Sequence, residues 1–178
     1  MSVPFGITYL GAVLRNDSHN VKLFDIYPED DLTEIIDDIK SDFQPDLIGY
    51  SVMTTNFHRT MVINKIMKEN FPNSLFCAGG IHPTVRPEET LRDLEVDFIV
   101  SGEGENILKK ICERIDNNLD FSDIKGIAYN KGDEFVANQG LDIIDDLDTI
   151  PFPARNLLPV EKYLIPPGYI RSHFLNRV

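Results

Sequence analysis

The chain has 178 residues, with 17 Lys+Arg against 29 Asp+Glu, so its formal net charge at pH 7 is 17 − 29 = −12. An acidic surface of this kind repels nucleic-acid phosphates and anionic lipids, which argues against a nucleic-acid partner and a membrane-surface role. Hydrophobic content of 42% and charged content of 26% are typical of a globular domain with a sizeable core. No apolar run approaches the roughly 18 residues of a membrane span and no signal peptide precedes Pro4, so the cytoplasm is the expected location.

The two cysteines, Cys77 and Cys112, lie far apart and form no CxxC pair. Their spacing excludes a disulfide framework and a cysteine-based zinc or iron–sulfur site within these residues. Both lie on apolar faces of predicted elements, and we interpret them as inert core residues. No metal ligand is predicted.

The first part of the chain shows helical and strand patterns in turn. Apolar residues recur at i, i+3 and i+4 in the predicted helices, and alternate or run continuously in the predicted strands. The continuous run over residues 47–52 is expected of a strand covered on both faces. The predicted helices cover residues 5–16, 31–43 and 57–70, and the predicted strands cover residues 21–26 and 47–52.

Two further apolar runs each end in glycine. Residues 75–78 lead into Gly79-Gly80, and residues 98–100 lead into Gly102 and Gly104. A polar segment with helical spacing lies between them, and residues 105–117 predict another helix. Repeated strand, glycine turn and helix is typical of an open parallel sheet, in which ligands bind at the carboxyl ends of the strands. Glycine there allows a ligand to approach the backbone.

The pattern changes in the last third of the chain. Residues 127–129 and 134–137 flank Lys131-Gly132-Asp133 and predict a β-hairpin. From Ile150 onward the chain is rich in proline, which indicates an extended linker or strap. We expect the sequence to be truncated at both ends. Only four residues precede the first helix, too few for a buried strand and its turn, and no capping element stands at the C-terminal end. The predicted domains are residues 1–120 (α/β), 121–146 (hairpin appendage) and 147–178 (connector).

Polar residues at the first two strand ends admit two interpretations each. The hydroxyls of Ser51 and Thr54 cap the following helix, or they hold phosphate or amide groups of a ligand. Gly79-Gly80 forms a tight turn, or it leaves a flat shelf on which a large planar cofactor lies against the backbone. His82 would then hydrogen-bond that ligand.

The third strand end carries acidic residues. Glu103 and Glu105 in the first turn of a helix complement its dipole. Glu103 also lies between two glycines, where its carboxylate can meet amide or hydroxyl donors of a ligand. Asp25 resembles the ribose-binding acid of dinucleotide folds, but no GxGxxG motif precedes it, and we therefore discount NAD and FAD.

Six segments, taken in order and at these distances, resemble the N-terminal cobalamin-binding domain of cobalamin-dependent radical SAM enzymes. The sixth is similar to that family's connector into its radical SAM barrel. The resemblance covers nearly the whole chain. The segments are FGITYL (5–10), HNV (19–21), PDLIGYS (45–51), AGGIHPT (78–84), VDFIVSGEGE (96–105) and the connector LDTIPFPAR (147–155).

The resemblance implies an α/β, flavodoxin-like (Rossmann-like) three-layer fold, with cobalamin over the carboxyl ends of a parallel sheet. It places cofactor contacts at three turns and no catalytic residue in this chain. By resemblance, Ser51 and Thr54 contact the nucleotide tail, Gly79, Gly80 and His82 line the tail channel or corrin face, and Gly102, Glu103 and Glu105 meet the corrin amides.

Three departures from the family shape the prediction. The CxxxCxxC motif is absent, so the [4Fe–4S] cluster and S-adenosylmethionine are expected only in a missing C-terminal radical SAM domain in cis. The family's central first strand is missing, so strands 21–26 and 47–52 flank an empty slot or close together. No DxHxxG motif occurs, and a histidine below the cobalt is not predicted.

The resemblance assigns catalysis to the parent enzyme and not to this chain alone. That parent is a methyltransferase or an anaerobic magnesium-protoporphyrin ester cyclase-like enzyme. Two alternatives remain: a flavodoxin- or receiver-like signalling domain, and a stand-alone corrinoid carrier. Ser51 stands where a receiver needs its phosphoacceptor aspartate, and carriers usually contain DxHxxG.

Overall fold

The computed structural model describes residues 3–163, which contain one five-stranded sheet and six α-helices. Contacts divide the chain into two compact units: the sheet unit, residues 27–149, and the terminal unit, residues 1–26 with 150–178. The helices are α1 (Phe5–Asn16), α2 (Leu32–Asp42), α3 (Phe57–Asn70), α4 (Ile81–Val85), α5 (Pro87–Leu94) and α6 (Gly104–Asp116). The strands are β1 (Leu47–Ser51), β2 (Leu75–Gly79), β3 (Phe98–Val100), β4 (Ile127–Lys131) and β5 (Glu134–Ala137).

The sheet runs in the order β1-β2-β3-β4-β5. Strands β1, β2 and β3 are parallel, as the strand–helix alternation predicts, while β4 pairs antiparallel with β3 and β5 antiparallel with β4. The α/β fold class is therefore confirmed, and so is the hairpin. The hairpin is hydrogen-bonded to β3 and continues the same sheet.

Helices cover both faces of the central strands. Cys77, Phe98 and Val100 pack with Ile107 and Ile111 of α6 in one core cluster. Their neighbours in the strands point to the opposite face, because side chains alternate along a strand. On that second face, α5 contacts β3 and α3 contacts α5. The buried residues of these strands and helices are Phe76, Ala78 and Ile99 of the strands, Met67 of α3, and Leu91 and Leu94 of α5.

Cys77 is buried in this core, as the apolar pattern predicts. Burial raises the pKa of its thiol to about 12, and the neighbouring Cys112 and Asp97 act in the same direction. Cys77 is consequently a neutral apolar side chain at physiological pH. Cys112 lies on α6 and is only partly buried.

The polar segment between β2 and β3 forms two helices, α4 and α5, where the sequence predicts continuous helical spacing. The break falls at Arg86, which leaves helical geometry at φ −134°. Pro87 follows as the first residue of α5, where its missing N–H costs nothing and its fixed φ suits a helix. The acidic first turn of α5, with Glu88 and Glu89, complements the helix dipole.

The strand predicted at residues 21–26 is wrong. These residues belong to the terminal unit and form no strand. Alternation describes only a side-chain pattern, and a strand also needs a neighbour that completes its backbone hydrogen bonds. Strand β1 is correspondingly an edge of the sheet in the described part of the chain, and it is partly exposed rather than covered on both faces.

The proline-rich segment is more compact than the predicted extended strap. Within the terminal unit, Ala154 N–H donates to Thr8 O of α1 (2.9 Å), and Tyr163 Oη donates to Asp25 Oδ2 (2.8 Å). Short 3-10 helices form at Arg155–Leu157 and Val160–Tyr163. Prolines 166 and 167 lie outside the described residues.

Candidate functional site

The carboxyl ends of β1, β2 and β3 meet in register at one edge of the sheet. Ser51 pairs with Gly79, and Gly79 pairs with Val100. The turns that follow these three residues therefore lie side by side, and we call this edge the rim. All eight predicted site residues lie in or next to its turns: Ser51, Thr54, Gly79, Gly80, His82, Gly102, Glu103 and Glu105.

Two backbone hydrogen bonds, one on each side of Gly80 in the chain, join the first two turns of the rim. Val52 N–H donates to Gly79 O (2.8 Å), and His82 N–H donates to Val52 O (3.2 Å). Gly80 has φ +103° and ψ −171°, a conformation open essentially to glycine alone. A Cβ on Gly80 would lie 2.8 Å from Val52 O, whereas a Cβ on Gly79 would make an ordinary contact with Val100 O at 3.4 Å. Only the second glycine of the pair is therefore required by the backbone.

His82 is buried between the first two turns, with 8% of its surface exposed. Its Nδ1 lies 3.1 Å from Thr54 Oγ1, and its ring packs on Phe57 with a centroid distance of 4.3 Å. Its Nε2 is buried without a hydrogen-bond partner among the described residues. The structure thus brings together two residues that the sequence predicts for the site, Thr54 and His82.

Asn56 shapes the turn after β1. Its Oδ1 accepts from Met53 N–H (2.8 Å), and its Nδ2 donates to Ser51 O (3.2 Å). The Ser51 carbonyl is thereby used inside the turn, while the Ser51 side chain is exposed at the end of the edge strand. Ser51 caps no helix: the residue before α3 is Asn56, whose side chain binds the turn instead.

Thr84 connects the second and third turns. Its hydroxyl donates to Gly80 O (2.8 Å) and accepts from Gly102 N–H (3.1 Å). Gly102 has φ +82°, which favours glycine. The three turns are therefore linked in sequence by hydrogen bonds, and the rim is preorganised.

Glu103 has a partner within the chain. Its Oε2 accepts from Ile144 N–H at 2.7 Å, so the carboxylate anchors the segment that follows the hairpin. Leu141 of the same segment lies against Gly102, with Cδ2 3.4 Å from the position of an added Cβ. Glu105 lies in the first turn of α6, where its charge complements the helix dipole.

Replacing Glu103 with alanine should free the 141–144 segment without unfolding the sheet. The lost acceptor is exposed, so we expect a local destabilisation of about 1 kcal/mol. The measurement is amide hydrogen exchange at Ile144, which should quicken several-fold in Glu103→Ala. Glu103→Gln keeps an acceptor oxygen and should preserve the protection. Unchanged exchange at Ile144 in the alanine variant would show that the carboxylate is not the anchor.

Exposed apolar side chains surround the rim. Met53 is 53% exposed, Ile81 and Val85 are each 71% exposed, and Leu141 is 52% exposed. Met53 lies two residues after Ser51, and Ile81 lies two residues after Gly79, the last paired residues of β1 and β2. Val85 lies one helical turn after Ile81. Exposed apolar surface is typical of binding sites, and these four residues supply it at the rim.

This chemistry fits a large, flat and mostly apolar ligand that carries polar substituents. Glycine turns leave the backbone open to close approach, apolar side chains border it, and hydroxyls stand at Ser51 and Thr54. No group of three or more His, Cys, Asp or Glu within residues 3–163 is arranged to hold a metal ion. Over the same range, no helix combines the length and apolar character needed to cross a bilayer.

Sequence reasoning missed three residues of the rim: Asn56, Phe57 and Thr84. Asn56 stands three residues after Met53, and that spacing is a signal for a side chain that closes a turn. Phe57 carries no such local signal, because its partner His82 comes from another turn. The link from Thr84 to Gly102 likewise joins two turns, although the other partner of Thr84, Gly80 O, is local.

A protein-family model described as the B12 binding domain matches residues 2–111. Curated relatives include an uncharacterized methyltransferase of Pyrococcus horikoshii, 31% identical over 161 residues, which cover 90% of this chain and 35% of the relative. Another is an anaerobic magnesium-protoporphyrin IX monomethyl ester cyclase of Synechocystis sp., 30% identical over 149 residues, 82% of this chain and 30% of the relative. The chain thus spans about a third of the length of these relatives.

Solved structures show the same fold. The cobalamin-dependent S-adenosylmethionine radical enzyme OxsB, with aqua-cobalamin and S-adenosylmethionine bound, superposes with TM-score 0.74 at 22% identity, over 85% of this chain and 21% of that one. The radical S-adenosylmethionine methyltransferase TsrM from Kitasatospora setae gives TM-score 0.70 at 20% identity, over 77% of this chain and 27% of that one. At these identities the likeness concerns the fold.

Proposed function

Because this chain belongs to the B12-binding domain family, we propose that its rim holds the corrinoid and orients one face of it toward a catalytic partner domain. The observation that carries the proposal is the in-register meeting of Ser51, Gly79 and Val100 beneath three linked turns. A corrin ring needs an open, small-residue surface at the carboxyl ends of parallel strands, and this edge supplies one.

The roles proposed for individual residues follow from their positions. Ser51 and Thr54 stand at the end of β1 and supply hydroxyls for the nucleotide tail. Gly79 and Gly80 carry no side chains and leave the backbone accessible beside the nucleotide tail. His82 contacts the Thr54 hydroxyl through Nδ1. At the third turn, Gly102 exposes backbone to the corrin amides. Glu103 and Glu105 stand at the start of α6, where Glu103 also anchors Ile144.

The parent protein, we propose, is a cobalamin-dependent radical SAM enzyme, either a methyltransferase or an anaerobic magnesium-protoporphyrin ester cyclase-like enzyme. Support comes from the curated relatives, whose names include both activities. The [4Fe–4S] cluster and S-adenosylmethionine would be bound by a radical SAM domain in cis. When bound, cobalamin supplies the group-transfer or ring-forming chemistry, and the residues of this chain bind it, orient it and exclude water around it.

We further propose a cytoplasmic setting without nucleic-acid or membrane partners. Cysteines that form no disulfide fit a reducing compartment. The net charge of −12 disfavours phosphate backbones and anionic lipid surfaces.

Binding of cobalamin to the isolated 178-residue chain tests the proposal directly. The protein is incubated with hydroxocobalamin, passed through a desalting column, and examined by visible absorption. We expect a corrin spectrum at near one equivalent per chain. Flavin mononucleotide, treated identically, should not be retained. Val62→Ala, a change at a half-exposed residue of α3, is the matched control and should bind cobalamin like the unaltered 178-residue chain.

Two results would contradict the proposal. One is a chain with a cooperative thermal unfolding transition that retains no corrinoid. The other is retention of flavin in place of cobalamin, because that outcome would indicate a flavodoxin-like role for the same fold.

A further inference from the structure

Two ring contacts and one backbone hydrogen bond hold His82 in place, and one of its ring nitrogens has no partner among the described residues. Nδ1 lies 3.1 Å from Thr54 Oγ1, the ring packs on Phe57, and the backbone N–H is bound to Val52 O. Nε2 is buried and unpaired among residues 3–163. An unpaired buried polar atom destabilises a fold. Which ring nitrogen carries the hydrogen therefore decides whether the unpaired atom is a donor or an acceptor.

The unpaired Nε2 discriminates between the forms of the ring. If Nε2 carried the hydrogen, a buried N–H donor would lack an acceptor, which is rarer in folded proteins than an unused acceptor lone pair. The neutral ring with hydrogen on Nδ1 leaves only a bare lone pair at Nε2. The geometry therefore favours the Nδ1–H tautomer, which donates to Thr54 Oγ1.

This tautomer determines what Thr54 offers at the rim. A hydroxyl has one hydrogen and two lone pairs, and here one lone pair accepts from His82. The hydrogen of Thr54 is then available to a group outside the chain, and Thr54 is exposed. The opposite tautomer would commit that hydrogen to Nδ1 and leave Thr54 only as an acceptor.

We infer that His82 is a positioning residue that holds Thr54 Oγ1 as a hydrogen-bond donor toward an acceptor oxygen of the corrinoid. The inference rests on the proposed function and names the chemistry of one contact within it. Two oxygens of the cofactor share this chemistry, the phosphate of the nucleotide tail and the carbonyl of a side-chain amide. Phe57 packs against the ring, with centroids 4.3 Å apart and planes tilted by 34°.

The tautomer can be measured without any cofactor. Long-range proton–nitrogen correlation spectra of the full chain with ¹⁵N-labelled histidine report which ring nitrogen carries the hydrogen. The chain has four histidines, and the His82 signals are those lost in His82→Asn. We expect a protonated Nδ1 and a bare Nε2 at neutral pH. A bare Nδ1 with the hydrogen on Nε2 overturns the inference even if cobalamin binds.

Affinity for the cofactor tests the consequence. Thr54→Val should weaken hydroxocobalamin binding roughly tenfold, as expected for loss of one hydrogen bond to a polar acceptor, while Thr54→Ser should retain it. His82→Leu should resemble Thr54→Val. His82→Asn should rescue binding, because its amide N–H can occupy the position of Nδ1–H. Thermal unfolding of each variant without ligand separates these effects from loss of fold.

Cobinamide, which lacks the nucleotide tail, identifies the acceptor. A loss in Thr54→Val confined to cobalamin assigns the phosphate, and an equal loss for cobinamide assigns an amide carbonyl. Either result supports the inference. Unaltered affinity for both ligands in a folded Thr54→Val chain overturns it. Failure of the parent chain to bind either corrinoid would instead refute the proposed function, and the nitrogen spectra would still decide the tautomer.

Discussion

Gly80→Ala should lower the free energy of unfolding by about 3 kcal/mol or more, since a residue strained in this backbone region alone costs roughly 1–3 kcal/mol. The added Cβ would also lie 2.8 Å from Val52 O, and that atom is backbone and cannot rotate away. Relief of the contact must separate the first two turns of the rim. We therefore expect cobalamin affinity to fall together with stability.

Chemical denaturation of both glycine variants measures the effect. Gly79→Ala is the matched control, because the same methyl group one residue earlier would meet Val100 O at an ordinary 3.4 Å. We expect the control to change stability by less than about 1 kcal/mol. Equal losses in the two variants would show that the conformation of Gly80 is not what joins the turns.

Ile107→Ala should destabilise the sheet unit by about 2–5 kcal/mol, the range for truncating a buried isoleucine. Ile107 has no exposed surface and belongs to the cluster between α6 and the sheet. Its Cδ1 would lie 2.9 Å from a Cβ placed on Gly126, whose carbonyl accepts from Ser101 N–H at 2.7 Å. Loss of Ile107 therefore also removes support beneath the third turn of the rim.

Urea denaturation with Ile107→Val and Leu119→Ala as companions tests this order. The valine variant removes one methyl group and should cost about 0.5–1.5 kcal/mol. Leu119 is 48% exposed, and its truncation should fall within about 0.5 kcal/mol of zero. An Ile107→Ala chain as stable as the Leu119→Ala chain would contradict the packing described for α6.

The rim shows where local pattern is informative and where it is not. Sequence identifies Gly79-Gly80 as a turn after a buried strand, but it does not distinguish the two glycines. Strand pairing does: Gly79 is the last paired residue of β2, and Gly80 must turn against Val52. Likewise Glu103 reads as a ligand-facing carboxylate, whereas the fold brings Ile144 N–H to it from 41 residues away.

The error at residues 21–26 has the same origin. Alternating apolar residues are compatible with a strand that buries one face. Whether a neighbouring strand pairs with that segment is decided by the whole fold. Pairing in the described chain begins with β1 and β2, and residues 21–26 take no part in it. The domain boundaries at residues 120 and 146 remain predictions.

The amino-acid sequence by itself determined the order of helices and strands in the sheet unit apart from the division between α4 and α5, the three turns at which a ligand would bind, and the likeness to cobalamin-binding domains. These are local properties, set by apolar periodicity, glycine positions and short motifs. Only the tertiary structure decided that Thr54, Phe57 and His82 share one cluster, that Gly80 and not Gly79 needs to be glycine, and that Glu103 anchors a later segment. Such contacts join residues distant in the chain, and their energies depend on distances that no local pattern contains.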